Sequence, residues 1–288
     1  MDEIEAWILK APAVQANTND FDYNIINNDT LRLHNISIEN GIQSTPQHNL
    51  LQLIMEKQGA LLGGVTEESI VGFESYPGYE HLRRLAQHGV QPHMRPDFQC
   101  NRAESDEERM QYKKFKRQVH HELHKMQEKG RCLLLRRSEI QGTEGLHVSA
   151  IHVVSKPGDD KPRVTTDANA SGLNASTNML EIEEMLGEYS LPNIRYLAGM
   201  LQRARREGRR LLYKSDVSSA FLRLRLAPET AMLHAVQVGD LILIPLVMMF
   251  GWAAAPIFYS VVSGCVNWAH NGARDDNGEW TQGVGPAQ

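Results

Sequence analysis

The chain has 288 residues, 41% of them hydrophobic and 23% charged, with a formal net charge of −5. That length and balance exclude a disordered tail or a small disulfide-stapled scaffold and leave room for one large domain or two modest ones. No apolar run reaches the length of a membrane span, so no membrane partner is expected; the most apolar piece, "LILIPLVMMF" at 241–250, is short and carries a proline.

The N-terminus, "MDEIEAWILKAPAV", begins acidic and lacks the features of a secretory or transit peptide, which predicts an intracellular protein, cytoplasmic or nuclear. Cys100, Cys132 and Cys265 are far apart and in no CxxC pair, which fits a reducing compartment and no zinc knuckle. Charge is uneven along the chain. Residues 1–110 hold 8 Lys and Arg against 17 Asp and Glu, residues 111–270 hold 21 against 15, and residues 271–288 hold 1 against 3. The middle of the chain is therefore the part suited to a polyanion.

Residues 1–104 are weakly patterned and rich in Asn, Gly and Pro; they read as loop-rich, with short helices over 50–64 and 81–88 and no chemistry that can be assigned. At Ser105 the signal sharpens. Ser105 and Glu108 form a capping box, and Tyr112, Phe115, Val119, Leu123 and Met126 recur at spacings of three and four up to Gly130. "RCLLLRR", "LHVSAIHVVSK" and "RVTTD" read as strands, with the polar turn "PGDDKP" between the last two. A second helix is predicted over 192–206, then a strand over 211–226, then a hairpin turning at Gly239-Asp240, and a last apolar helix from Pro256. The order is mixed α and β and predicts an α+β layout, an antiparallel sheet backed by helices.

Within "LLYKSDVSSAFLRLRL", Asp216 is an acid at the end of an apolar strand, with a ring five positions on at Phe221. A carboxylate there suits Mg²⁺, which takes oxygen ligands; taken alone it equally suits pairing with a nearby Lys or Arg. "HHELH" at 120–124 lacks H-E-x-x-H spacing; His120 and His124 stand four apart on one helix face, as a metal pair or as surface histidines. Arg203, Arg205, Arg206, Arg209, Arg210 and Lys214 form a basic cluster that suits phosphate contacts or a solvated face.

Three stretches together resemble the reverse transcriptases of LTR-type retroelements. "DVSSAF" resembles their first catalytic motif, "FGWAAAPIFY" at 250–259 the second motif of the same palm domain, and "SKPGDDKPRVTTDANASGLN" at 155–174 their fingers segment. Each motif alone is weak; their order over roughly residues 105–270 is what carries the resemblance. It implies a partial right-hand polymerase: a fingers-like segment over 105–190, the first half of a palm over 191–270 and a polar tail over 271–288.

The resemblance also implies roles. Asp216 and the backbone carbonyl of Val217 would bind Mg²⁺ or Mn²⁺. Ser219 and Ala220 would cradle the triphosphate through their backbone, and Phe221 would lie under the sugar and select deoxynucleotides. Lys156 and Arg163 would meet the triphosphate, and Phe250 and Gly251 would line the nucleotide and template pocket. Each has a plainer role open to it: Phe221 in the core, Arg163 on the surface, Gly251 in a turn. The partners implied are an RNA or DNA template–primer and dNTPs, the reaction a two-metal phosphoryl transfer. Oligomeric state is left open.

A Y-x-D-D hairpin, the family's source of further metal-binding carboxylates, does not occur among the 288 residues; Asp275-Asp276 follows Arg274 in a Gly- and Asn-rich stretch and reads as a loop. The expectation is a domain truncated before that motif, with metal binding weakened and synthesis negligible, because one carboxylate does not neutralise two divalent ions. A non-catalytic nucleic-acid-binding remnant and a degenerate fragment are the alternatives.

Overall fold

The computed structural model describes residues 23–41, 44–61, 64–100, 110–154, 163–187, 194–208 and 217–271. The capping box at 105–108, residues 211–216 of the predicted strand, Arg209, Arg210, Lys214 and the polar tail from residue 272 lie outside them. The rest of that strand is corrected, since 217–226 forms turns, with a 3₁₀ turn at Phe221–Arg223 and only isolated bridges at Arg225 and Leu226.

The fold is mixed α and β. Two N-terminal helices, α1 (Tyr23–Asn40) and α2 (Pro46–Gly59), pack side by side, followed by α3 (Tyr79–His88). Here the chain is more regular than its loop-rich reading. Helix α1 has few apolar anchors, Ile26 and Ile36 being fully buried, and also carries ion pairs to α2: Arg32 reaches Glu56 through two hydrogen bonds of 2.7 and 2.8 Å, and Lys57 pairs with the buried Asp29.

Helix α4 (Met110–Glu128) buries Val119, Leu123 and Met126, the predicted stripe, and bends where Phe115 leaves helical geometry at φ −113°. Gly130, at φ +62°, closes it: its N–H donates to the Gln127 carbonyl and that of Arg131 to the Met126 carbonyl, the pattern of a left-handed C-terminal stop. Strand β1 (Cys132–Arg136), the short α5 (Arg137–Ile140), β2 (Val148–Ser149), β3 (Ile151–Val154) and β4 (Arg163–Thr166) follow, then α6 (Leu173–Ser176), α7 (Met179–Leu186) and α8 (Ile194–Arg206). The chain continues through α9 (Pro228–Leu233), β5 (Ala235–Val238), β6 (Leu241–Pro245) and α10 (Ala255–Asn271).

The main sheet runs β1-β6-β5-β2. Strands β5 and β6 form the predicted hairpin through Gly239-Asp240, with Val238 opposite Leu241, and β6 runs antiparallel to β1 with Leu134 opposite Leu243. The expectation of a purely antiparallel sheet is corrected at one edge: β2 lies parallel to β5, Val148 opposite Ala235. Strands β3 and β4 pair separately, Ile151 opposite Thr166.

Alternation divides the sheet between two cores. Leu133, Leu135, Ile242 and Ile244 face the layer of α2, α3, α9 and α10, while Cys132, Leu134, Leu241 and Leu243 face α4. With both faces covered, β6 is buried along its length, which explains its unbroken apolar sequence.

Candidate functional site

The segment from Val217 to Phe250 runs through α9 and the β5–β6 hairpin and ends beside β4. Val217 is 41% exposed, and Ser219 has φ +58°, the one non-glycine residue with positive φ among those described. A serine in that conformation costs stability, and such strain collects where the backbone is shaped for a ligand. Ala220 leads into a single 3₁₀ turn, Phe221–Arg223.

The turn lays Phe221 against two further rings. Its centroid is 4.7 Å from that of Phe250, the planes 51° apart, and 5.7 Å from that of Tyr259 in an edge-on contact. Aromatic pairs at these distances and tilts attract through quadrupole as well as contact. Phe221 is half-buried, whereas Phe250 is 49% exposed and forms the outer wall of the cluster.

Phe250 is held from behind by β4. Its carbonyl accepts the Thr166 N–H at 3.1 Å and the Thr166 hydroxyl at 2.9 Å. Gly251 stands at φ +115°, where only glycine is comfortable, and a Cβ there would collide with the Thr166 carbonyl oxygen and lie 2.6 Å from its hydroxyl. The glycine therefore serves close approach of two backbones as well as a turn.

Asn174, on α6, ties the same corner together. Its amide donates to the Gly251 carbonyl at 2.9 Å and to Asn169 Oδ1 at 2.7 Å, while its Oδ1 accepts the Ala253 N–H at 2.8 Å. Next to it, Trp252 donates its indole N–H to Thr177 Oγ1 at 2.8 Å, stacks on Phe258 and receives His234 edge-on at 4.7 Å. The sequence does not single out Asn174 or Trp252 as site residues, although each stands inside one of the three motif-like stretches.

Of the predicted site residues, the described structure brings together Phe221, Phe250 and Gly251, with Ser219 and Ala220 in the turn immediately before Phe221. Arg163 opens β4 opposite Val154, three residues from Thr166; its side chain is not among those described. Lys156 and Asp216 lie outside the described residues. Arg203, Arg205 and Arg206 are exposed at the end of α8. Elsewhere on α4, His124 sits 3.6 Å from Glu128, and among the described residues no group of three or more His, Cys, Asp and Glu gathers as a metal site.

Two buried histidines stand near this corner. His234 is fully enclosed against Trp252, and burial, with a smaller push from His147, holds its pKa down to about 3. His147 packs on Phe98, 5.3 Å between centroids, and burial lowers it to about 4. Both are neutral imidazoles at physiological pH.

No known protein family matches the chain, and no curated protein matches it. Among the described residues, no helix is long and apolar enough to cross a membrane.

Proposed function

We propose that the chain is a reverse transcriptase-like domain of an LTR-type retroelement, shaped to hold an RNA or DNA template–primer and an incoming deoxynucleoside triphosphate. The observation that carries this reading is convergence. Three stretches far apart in sequence, assigned by resemblance to one nucleotide pocket, share one patch: Phe221 from the first, Phe250, Gly251 and Tyr259 from the second, and Thr166 and Asn174 from the third.

Each residue then has a task that its chemistry fits. Phe221 lies under the sugar and leaves no room for a 2′-hydroxyl. Phe250 and the bare backbone of Gly251 form the wall along which base and template approach. The strained turn at Ser219 and Ala220 offers backbone to the triphosphate, and Lys156 and Arg163 supply cations to it. Asp216 and the Val217 carbonyl would hold Mg²⁺ or Mn²⁺, which would offset charge on the triphosphate and acidify the primer hydroxyl. Asp216 is the one carboxylate of that metal set recognised in these 288 residues, so the polypeptide alone is expected to hold its ligands without appreciable turnover. The exposed arginines of α8 favour a nucleic-acid-binding role that persists without synthesis.

Sugar selection tests the pocket directly. In competition against a labelled dNTP on a primer–template complex, the unaltered chain is expected to prefer dNTP over NTP by about tenfold or more, the scale on which a shaped pocket discriminates. Phe221→Ala is expected to bring the two within about threefold, since the excluded volume is gone. Equal affinity of the unaltered chain for both sugars removes the assignment of Phe221.

A further inference from the structure

Helix α4 turns one side to the core and the other to solvent. Val119, Leu123 and Met126 are buried with Leu134, Leu241 and Leu243 against the sheet. Lys114, Arg117 and His121, at spacings of three and four, stand on the opposite side and are exposed, and Lys116 is exposed beside them. Lys125 continues the row one turn further on.

The cations of the first half are uncompensated. The carboxylates of the helix, Glu122 and Glu128, stand in its second half, where Lys125 reaches Glu122 at 2.8 Å and His124 lies 3.6 Å from Glu128. Among the described residues no carboxylate forms an ion pair with Lys114, Lys116 or Arg117. The Lys114 ammonium lies 5.1 Å from the centre of the Phe115 ring, a contact that leaves its charge in place. The acidic run 104–108 precedes the helix in sequence and lies outside the described residues. The N-terminal helices differ: there Arg32 meets Glu39 and Glu56, Lys57 meets Asp29, and Arg83 meets Glu80. Like charges gathered on one turn repel, and a polyanion laid along them replaces repulsion by attraction and releases its own counterions.

The composition of this side selects among polyanions. A helix that lies on a lipid surface needs an apolar side to bury there, and α4 has Val119, Leu123 and Met126 already enclosed in the core. A platform for unpaired bases needs exposed rings, and the described side chains of the outer side include no Phe, Tyr or Trp. Cations without apolar surface or rings fit the phosphates of a duplex, which carries one charge per about 1.7 Å of its axis. From Lys114 to Lys125 the helix spans about 16 Å, a length over which a duplex presents about ten charges. The chain as a whole is acidic, at −5, so a duplex is held only where cations are locally concentrated.

We infer that the outer side of α4 is a docking surface for the phosphate backbone of a double-stranded nucleic acid, engaged through Lys114, Lys116 and Arg117 without regard to sequence. It does not rest on the polymerase reading: α4 holds none of the residues gathered around Phe221, and its ligand needs neither a primer end nor a nucleotide.

The test uses the full chain in EDTA at low salt, with a fluorescein-labelled, blunt-ended DNA duplex two helical turns long, read by anisotropy. Binding is expected to weaken as salt rises. Lys114→Gln combined with Arg117→Gln is expected to weaken it by about twentyfold, about fivefold for each unit charge at contact distance in water. The same pair is expected to reduce the slope of log affinity against log salt by about two, and to do so equally on a duplex of unrelated sequence. Arg83→Gln, whose guanidinium is already held by Glu80, is expected to leave binding unchanged. Because Lys114 and Arg117 are exposed, the paired substitution is expected to keep the urea midpoint of the unaltered chain. Should it misfold, acetylation of the unaltered chain, read by mass spectrometry, is expected to spare Lys114 and Lys116 when the duplex is present. Absence of duplex binding at low salt, binding indifferent to the paired substitution, or no protection of these lysines overturns the surface. Binding of phosphatidylserine vesicles in place of the duplex also overturns it, and assigns this side of α4 to a membrane.

Discussion

Gly251→Ala is expected to destabilise the fold by about 3 kcal/mol or more, combining a left-handed backbone penalty with a steric collision that the core cannot absorb cheaply. The collision is with the carbonyl oxygen of Thr166, which belongs to β4 and cannot swing away, and the Thr166 hydroxyl lies 2.6 Å from the added carbon. To make room the chain must separate Phe250 from β4, which breaks both hydrogen bonds to the Phe250 carbonyl and pulls that ring from Phe221. Gly172→Ala separates the two contributions. Gly172 has φ +80° with nothing within 4 Å of an added Cβ, so it carries the backbone penalty alone, on the order of 1 kcal/mol. Urea unfolding of both variants measures the difference, and a Gly251→Ala midpoint level with that of Gly172→Ala would sink the close-approach argument.

The second large effect is acid instability. His147 and His234 are held near 4 and 3, below the ordinary value of 6.5, so the folded chain leaves them neutral while the unfolded chain protonates both as pH falls through that value. Their contribution is fully present above the unfolded pKa and is lost as pH falls from about 6.5 towards the folded values. Two protons correspond to a slope of up to roughly 2.7 kcal/mol per pH unit, or a loss on the order of 3 kcal/mol between pH 7 and pH 5. Asp29 acts in the opposite sense at lower pH: burial raises its pKa, Lys57 only partly offsets that, and its protonation below the folded value relieves the fold. His234→Gln is expected to halve the slope between pH 6.5 and 5. Unfolding midpoints across that range decide it; a flat profile, or a slope unchanged in the variant, contradicts the burial account. Because His234 lies edge-on to Trp252, beside the Phe250–Gly251 turn, acid is expected to loosen the candidate pocket early.

Much of this architecture is legible wherever a local pattern decides it. The stripe Val119, Leu123, Met126 with Gly130 at its end fixes α4, and an apolar run broken by Gly239-Asp240 fixes the β5–β6 hairpin. Helix α1 is poorly announced because its buried face mixes Ile26 and Ile36 with the polar Asp29 and Thr30, which blurs the apolar period. The parallel pairing of β2 with β5 joins residues about ninety positions apart, which local pattern does not encode. In the site, motif order pointed to Phe221, Phe250 and Gly251. Asn174 stayed hidden because its role is a set of hydrogen bonds that exist only once α6 and the Gly251 turn are adjacent. The burial of His147 and His234 is likewise tertiary: histidine is as often exposed as enclosed.

The measurement that tests the central claim most directly is anisotropy of a labelled DNA primer on an RNA template, titrated with the full chain in Mg²⁺, with the matched or a mismatched dNTP present and extension products read from the same samples. The account predicts salt-dependent binding that the matched dNTP tightens by about tenfold, as ordering of a ternary complex does, with no such tightening in Asp216→Ala and negligible extension by either. Binding indifferent to the matched dNTP, or no binding at low salt, contradicts the claim that these three segments form a nucleotide and template pocket. Extension that disappears in Asp216→Ala would keep the pocket and overturn the expectation that the chain holds its ligands without turning them over.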